Sequence, residues 1–243
     1  MLKLMDMTMT TNLTVTGPGL LRMMAWFSPS FPVGAFSYSH GLEYAVEAGL
    51  VASRETLVDW TEGVITRGAG RVDAALFCAA YTAIVDNDEA ELIWAIERGD
   101  VMRATRELAG ESIGQGEAFV ETVCVTWPQP RLDWLVKIAG EQQRRLSYPV
   151  AVGAAAAAHA VPTDIALPAY LHALATNLVS AGVRLIPLGQ TDGQRAIAAL
   201  EPVVLGAVEA ALVRPRGDLG SAAPVIDWAS TQHEIQYTRL FRS

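Results

Sequence analysis

The amino-acid sequence predicts an all-α protein, a single globular bundle of about ten helices with a flexible C-terminal tail. Apolar residues recur along most of the 243-residue chain with the three-to-four-residue spacing of a buried helix face. Alternation with the period of a β-strand is confined to one doubtful segment, Val120–Val125. The composition is 51% hydrophobic and 18% charged, whereas soluble domains carry about 25% charged residues. This composition excludes intrinsic disorder, and it indicates either a large core or apolar surface that other proteins cover.

The helices are predicted from this periodicity and from residues that favour helix ends. Pro202 predicts a kink or a break in the last helix, and the alanine tract Ala154–Ala158 predicts a close helix–helix contact. The predicted helices are Ser37–Ala48, Ser53–Arg67, Val72–Val85, Glu89–Arg98, Val101–Val123, Arg131–Leu146, Val150–Ala160, Asp164–Leu185 and Gln194–Val213. The predicted N-caps are Ser53, Asp88, Asp100 and Asp164, and the predicted stops or bends are Gly49, Gly99 and Gly140.

Three regions of the chain are expected to differ in organisation. Residues 1–18 are predicted to be a disordered extension, residues 19–213 form the helical body, and residues 214–243 form a connector and tail. The stretch Arg214–Pro224 is rich in Pro, Gly and Ser, which predicts a flexible connector. The segment Val225–Ser243 carries aromatic side chains but is too short for a core of its own. It either becomes ordered on a partner or packs back on the body.

Composition also excludes several classes of function. The net charge of −8 argues against nucleic acid as a partner, because phosphate binding needs a basic surface. Cys78 and Cys124 are too few and too far apart for a disulfide framework or a structural zinc site. The N-terminus lacks the apolar run of a signal peptide, so a cytoplasmic location is expected. The apolar stretch Ile165–Leu188 contains His172 and Arg184, which favours a buried helix over a membrane span.

Enzyme motifs are weak in this sequence. Gly110–Gly114 matches GxSxG around Ser112, but the preceding residues predict a helix, whereas a nucleophile elbow follows a strand. His40 and Glu43 are three residues apart and can share a helix face, yet two ligands alone do not build a metal site. We therefore expect no catalytic residue and no metal site. The alternative is a helical small-ligand-binding protein or an enzyme that uses His40, Glu43 and Ser112.

Three separated motifs are too specific for packing alone. The first, SPSFPVGAFSYSHGLE, spans Ser28–Glu43; the second, PLGQTDGQR, spans Pro187–Arg195; and the third, QHEIQYTRLFRS, spans Gln232–Ser243. With these motifs in this order, the sequence resembles the urease accessory protein UreF family over residues 19–243. The resemblance implies an all-helical, homodimeric, non-catalytic scaffold. Such a scaffold joins UreD (also called UreH) and the GTPase UreG, and it helps to deliver nickel to the urease apoprotein.

The resemblance also implies roles for particular residues. The tail residues Tyr237, Arg239, Leu240, Phe241 and Arg242 are expected to bind UreD. The first motif, through Phe36, Tyr38, His40 and Glu43, is expected to form a functional surface or part of the dimer contact. The second motif, through Gln190, Asp192, Gly193, Gln194 and Arg195, is expected to hold two helices in position, and a contact with UreG is left open. No cofactor is expected, and intrinsic nickel binding is doubtful.

Overall fold

The computed structural model describes residues 17–243, and within them the secondary structure is entirely helical. The segment Val120–Val125 lies inside a helix, so the all-α prediction is confirmed. A short 3-10 helix occupies Ala35–Ser37, and the described residues form eleven α-helices. These are α1 (Gly17–Trp26), α2 (Leu42–Glu47), α3 (Arg54–Thr66), α4 (Ala69–Asp86), α5 (Glu89–Val101), α6 (Arg106–Thr126), α7 (Pro130–Glu141), α8 (Tyr148–Ala158), α9 (Thr163–Leu185), α10 (Gln190–Leu212) and α11 (Pro224–His233).

Helix α8 lies at the centre of the bundle, and every residue of Pro149–Ala157 is buried. It packs closely on α4, because a Cβ atom built at Gly153 would lie 2.4 Å from the carbonyl oxygen of Phe77. Two backbones can approach this closely only where side chains are absent or small. The prediction that the alanine-rich segment makes a close helix–helix contact is therefore confirmed.

Several predicted helix ends are confirmed, and others are wrong. The Ser53 side chain accepts a hydrogen bond from the Thr56 backbone N–H. The Asp88 side chain likewise accepts one from the Glu91 backbone N–H, as N-cap residues do. Asp100 is not a cap, because α5 continues to Val101 and the side chain of Asp100 pairs with an arginine instead. Asp164 lies inside the first turn of α9. Gly99 and Gly140 also lie inside helices, α5 and α7.

Helix α10 continues through Pro202, so the predicted break does not occur. Proline cannot donate to the carbonyl oxygen four residues earlier, which belongs to Ala198. Both residues are exposed, and water can satisfy that oxygen. The helix predicted over Ser37–Ala48 is shorter than expected, because Tyr38 is extended and His40 and Gly41 have positive φ angles of 58° and 76°.

The first and last helices of the described chain, α1 and α11, are not predicted by the sequence pattern. Gly17 and Pro18, which were assigned to the disordered extension, begin α1, and residues 1–16 of that extension lie outside the described residues. Helix α1 is anchored by Trp26, which is buried and meets Phe119 edge-on with ring centroids 5.6 Å apart. The segment Arg54–Asp86 has the length and hydropathy of a membrane span. It is divided between α3 and α4, however, and much of it is buried in the bundle.

The C-terminal segment, residues 214–243, packs against the helical body rather than leaving it as a free tail. Its connector is held at several points. Arg71 pairs with Asp218 at 2.8 Å, and the Arg216 guanidinium lies 4.5 Å from the centre of the Trp94 ring. The Ala222 backbone N–H also donates to the carbonyl oxygen of residue 67 at 2.7 Å. Of the two alternatives left open for the tail, these contacts correspond to packing back on the body, and the connector predicted to be flexible is held by partners that local composition does not report.

Candidate partner-binding site

The first and third sequence motifs meet in the structure. The Arg242 backbone N–H donates to the carbonyl oxygen of Ser37 at 2.8 Å. The Ser39 backbone N–H donates to the backbone oxygen of Ser243 at 3.0 Å, and the Ser39 hydroxyl donates to the same oxygen at 2.5 Å. Residues separated by about two hundred positions in the chain are therefore joined by backbone hydrogen bonds.

Glu43 is the centre of this contact. One carboxylate oxygen accepts from the Leu240 backbone N–H at 2.7 Å, and the other accepts from the Phe241 backbone N–H at 2.9 Å. The second oxygen also lies 3.1 Å from Nε2 of His233. Because Glu43 is buried, these donors replace the water that an ionised carboxylate would otherwise bind. Glu43 of the first motif therefore binds the backbone of the third motif. Together with Glu107 and Glu111, it forms what we call the receptor for the C-terminal segment.

His233 connects Glu43 on α2 with Glu107 on α6. Its Nδ1 lies 2.6 Å from one oxygen of Glu107, and the other oxygen of that carboxylate accepts from Arg239 at 2.8 Å. The His233 side chain has no exposed surface. This histidine therefore links three elements: α2, α6 and the C-terminal segment.

A second buried carboxylate, Glu111, receives the end of the segment. The Ser243 hydroxyl donates to it at 2.7 Å, and Nδ1 of His40 lies 3.5 Å away. Burial opposes ionisation of Glu111, but His40, Ser243 and Arg103 together lower the pKa of this carboxyl below its ordinary value. Burial raises the pKa of the nearby Tyr38 hydroxyl. The receptor is thus an acidic pocket matched by hydrogen-bond donors.

The packing of α11 explains Gly41, the second glycine of the first motif. A Cβ atom at Gly41 would lie 2.9 Å from the backbone nitrogen of Ser230, and the φ angle there is +76°. The Ser230 hydroxyl is 2.7 Å from the hydroxyl of Thr105, the N-cap of α6. Glu234 then accepts from the backbone N–H of residue 106 at 3.0 Å. The C-terminal segment therefore caps the first turn of α6 as well as filling the pocket.

The outer side of the same segment exposes apolar side chains. Tyr237 is fully exposed, and Ile235, Leu240 and part of Trp228 are also accessible. Phe241 is the buried member of the segment, because only 4% of it is exposed and the Arg184 guanidinium lies 4.3 Å from its ring centre. Phe241 anchors the segment to its own body, whereas its neighbours present a surface.

Comparison with known proteins agrees with the three motifs. The sequence profile of UreF matches residues 51–201. A urease accessory protein UreF from Rhodopseudomonas palustris strain TIE-1 is 47% identical, over 92% of each chain. The chain belongs to the UreF family. Similar proteins named urease accessory protein UreF are 44% identical in Methylorubrum populi, over 92% of this chain and 98% of the relative, and 45% identical in Magnetococcus marinus, over 94% and 99%. Family membership supports a role in urease maturation.

In this UreF-family chain, the second motif occupies a separate place. Gln190–Arg195 forms the first turns of α10, where Arg195 pairs with Asp192 at 3.0 Å. Gly193 is buried against α9, because its Cβ position is 3.0 Å from a methyl carbon of Val183. Among the described residues, no hydrogen bond or ion pair joins this motif to the contact between the other two. Its glycine holds two helices together, while Gln190 and Gln194 remain exposed.

The three residues of the alternative enzyme hypothesis do not share one site in this UreF-family chain, because His40 and Ser112 line one cavity and Glu43 does not. Ser112 lies within α6, so GxSxG has no strand before it, and its hydroxyl accepts from Arg103 at 2.7 Å. Glu43 is engaged with the C-terminal segment, and His40 lies beside Glu111. Across residues 17–243, no group of three or more His, Cys, Asp or Glu side chains has an arrangement that could hold a metal ion.

Three residues that build the receptor were not predicted as site residues from the sequence: Glu107, Glu111 and His233. A usable signal was present, because Glu107 and Glu111 are four positions apart in a segment predicted to be helical, which places both carboxylates on one face. The partner of that face could not be inferred, since it comes from the far end of the chain.

Proposed function

We propose that this chain is a non-catalytic adaptor of urease maturation that bridges UreD/UreH and the GTPase UreG. The assembly delivers nickel to the urease apoprotein in the cytoplasm, and the chain acts in it as a homodimer. The observation that carries the proposal is the two-sided C-terminal segment. Its inner side is held by Glu43, Glu107 and Glu111, and its outer side exposes Ile235, Tyr237 and Leu240.

This arrangement suits an interface for UreD/UreH. Exposed aromatic and aliphatic side chains, with arginine nearby, are typical anchors of protein–protein contacts. Because the segment is already held on the body, a partner that binds it has less conformational entropy to overcome. Arg239 remains partly exposed beside Glu107, so it can contribute to the same surface.

Nickel is the cargo of the proposed assembly rather than a resident cofactor of this chain. We place the task of holding nickel with the partners. The homodimer and the partners would cover further apolar side chains on α10, where Leu205, Leu212 and Val213 are exposed. The second motif also offers a contact surface for UreG through Gln190, Gln194 or Arg195. The co-purification assay described next tests this contact.

The test is co-expression of the full chain with UreD/UreH, UreG and the urease apoprotein. The variant Tyr237→Asp/Leu240→Asp places two charges on the exposed side of the segment, and we expect it to lose co-purification with UreD/UreH and urease activation. Val125→Asp is the matched control, because Val125 is a comparably exposed apolar residue near the end of another helix, α6. It should behave as the unmodified chain.

Normal urease activation in the absence of the chain would contradict the adaptor function itself. Loss of UreD/UreH binding in Val125→Asp but not in the tail variant would move the interface to the C-terminal end of α6. Turnover by the isolated chain that disappears in Ser112→Ala would instead support the enzyme alternative.

A further inference from the structure

A second site lies on the other side of the first motif. A cavity of about 510 Å³ is enclosed by α1, the loop that follows it and α9, with α4, α6 and α8 below. This volume lies within the usual range for small-molecule pockets. Its walls include the rings of Trp26, Phe27, Tyr148 and Tyr170, and its polar lining includes His40 and Arg103. The C-terminal segment contributes no residue to this lining.

The polar lining carries unpaired hydrogen-bonding groups. Only 6% of His40 is exposed; its Nδ1 lies 3.5 Å from Glu111, too far for a good hydrogen bond, and Nε2 has no hydrogen-bond partner among the described residues. The Arg103 side chain is almost fully buried; its two terminal nitrogens donate to Asp73 at 2.6 Å and to Ser112 at 2.7 Å, whereas Nε is unpaired. Buried polar groups in proteins are nearly always hydrogen-bonded. Two such side chains lining one cavity therefore indicate a site for a ligand with polar atoms.

The charges of the lining restrict what this ligand can be. The positive charge of Arg103 is matched by Asp73, and Glu111 adds a further negative charge nearby. An anionic ligand would meet two carboxylates, and the one arginine in the described lining, Arg103, is already paired with Asp73. Nε of Arg103 is an N–H donor, and the imidazole of His40 carries at least one N–H, so an uncharged oxygen acceptor would suit both side chains. The aromatic walls favour an apolar ring as the rest of the molecule.

We propose that this cavity binds an uncharged amphipathic small molecule, with an aromatic body against Tyr148 and Tyr170 and a carbonyl or hydroxyl oxygen directed to His40 and Arg103. This binding function is separate from the adaptor role and does not depend on it. It uses His40 and the helix that carries Ser112, but not Glu43, which is committed to the C-terminal segment.

The test uses three probes of nearly equal size: benzamide, benzoate and toluene. Binding to the full chain is measured by ligand-observed NMR with titration. We expect benzamide to bind with a Kd of about 0.1 to 1 mM, as is usual for a ligand of this size. Benzoate and toluene should bind at least about tenfold more weakly, because benzoate adds a negative charge and toluene lacks the oxygen.

Two variants assign binding to the cavity. His40→Phe keeps a ring but removes both nitrogens, and it should weaken benzamide binding about tenfold. The control His159→Phe changes an equally buried histidine outside the cavity lining, and it should leave the affinity unchanged. Ala173→Trp fills the cavity from the partly exposed side of α9. It should abolish binding even if His40→Phe fails to fold.

The proposal is overturned if benzamide shows no saturable binding, if the three probes bind equally, or if Ala173→Trp binds benzamide normally. Affinity that falls as protein concentration rises, in step with self-association, would also overturn it. That result would assign the mouth of the cavity to a second copy of the chain.

Discussion

At the scale of single residues, His233 is the side chain on which the C-terminal segment most depends. It is fully buried and lies between two carboxylates that are themselves largely buried. Removing one member of such a group leaves uncompensated buried charge, which costs more than the interaction itself contributes. The histidine was assigned no role from the sequence, because its partners Glu43 and Glu107 are more than 120 positions away.

We expect His233→Ala to lower the free energy of unfolding by about 3 kcal/mol, the usual cost of breaking a buried ion pair. It should also expose the segment to trypsin at Arg239 and Arg242. Urea unfolding and timed proteolysis measure the two effects. His172→Ala is the control, because His172 is exposed on α9, and it should change neither. Unchanged proteolysis of His233→Ala would show that the backbone contacts to Glu43 hold the segment without the histidine.

A second buried histidine, His159, makes the free energy of unfolding depend on pH. Burial, with a contribution from Arg22, lowers the pKa of His159 to about 4, whereas an unfolded histidine titrates near pH 6.5. Between these values the unfolded chain binds a proton that the folded chain does not, so stability is lost as pH falls from about 6.5 towards about 4.

The variant His159→Gln should reduce this loss. We expect the urea midpoint of the unmodified chain to fall between pH 7 and pH 5, and that of His159→Gln to fall less over the same interval. Equal falls for both proteins would show that other groups cause the acid sensitivity.

At the scale of helices, close backbone contacts organise the bundle. Gly153 on α8 faces the backbone of α4 at a distance that no side chain can share. We expect Gly153→Ala to destabilise the protein by about 1–3 kcal/mol, because the new methyl group forces the two helices apart. Gly110→Ala on α6 is the matched control, since no atom lies within 4 Å of its Cβ position. It should be neutral or stabilise by up to about 1 kcal/mol, as alanine favours helices. Thermal unfolding of both variants tests this difference.

The C-terminal segment behaves as an element of the fold as well as a partner surface. Deleting Trp228–Ser243 removes the cap that Glu234 provides for α6 and leaves Glu43, Glu107 and Glu111 without their donors. The three carboxylates then become accessible to water, which limits the loss. We therefore expect the helical body to remain folded, with a lower melting temperature.

Circular dichroism measures this outcome. The helical signal should fall only by the share of the deleted residues. Collapse of the whole signal would show that the segment is required for folding, and an unchanged melting temperature would show that its contacts contribute nothing.

At the scale of the whole molecule, the composition and the partner proposal are connected. The chain carries a net charge of −8 and is 51% hydrophobic. Much of that apolar content lies in the buried helices α4, α8 and α9, and the remainder includes exposed side chains on α1, α10 and the C-terminal segment. Exposed apolar patches on soluble proteins usually mark contact surfaces.

We expect the purified full chain to sediment as a homodimer of twice its 26.0 kDa mass. Sedimentation velocity over a range of concentrations and salt measures this, and stability to salt would indicate a mainly apolar contact. A monomer at every concentration would contradict the homodimer and leave the exposed patches to other partners.

The sequence by itself determined the fold class and the family. Helical periodicity, capping residues such as Ser53 and Asp88, and the small residues of α8 are local signals, because each acts over one or two helical turns. The three motifs identified the UreF family for the same reason, since they can be read without knowing what they contact. Short elements such as α1 and α11 were missed because their stability comes from packing rather than from their own periodicity.

Only the tertiary structure decided what the motifs do to one another. It showed that Glu43 of the first motif accepts hydrogen bonds from the backbone of the third motif, and that Glu107 and Glu111 complete the receptor. It also showed that the Phe241 side chain is buried against the helical body rather than exposed on the surface of the segment. It also separated His40 and Ser112 from Glu43. Contacts between residues nearly two hundred positions apart depend on how the helices pack in space. Local patterns in a single sequence do not show which of these distant residues come into contact. The chemical type of each side chain is known from the sequence, but which buried charges pair with one another is decided only in the folded chain.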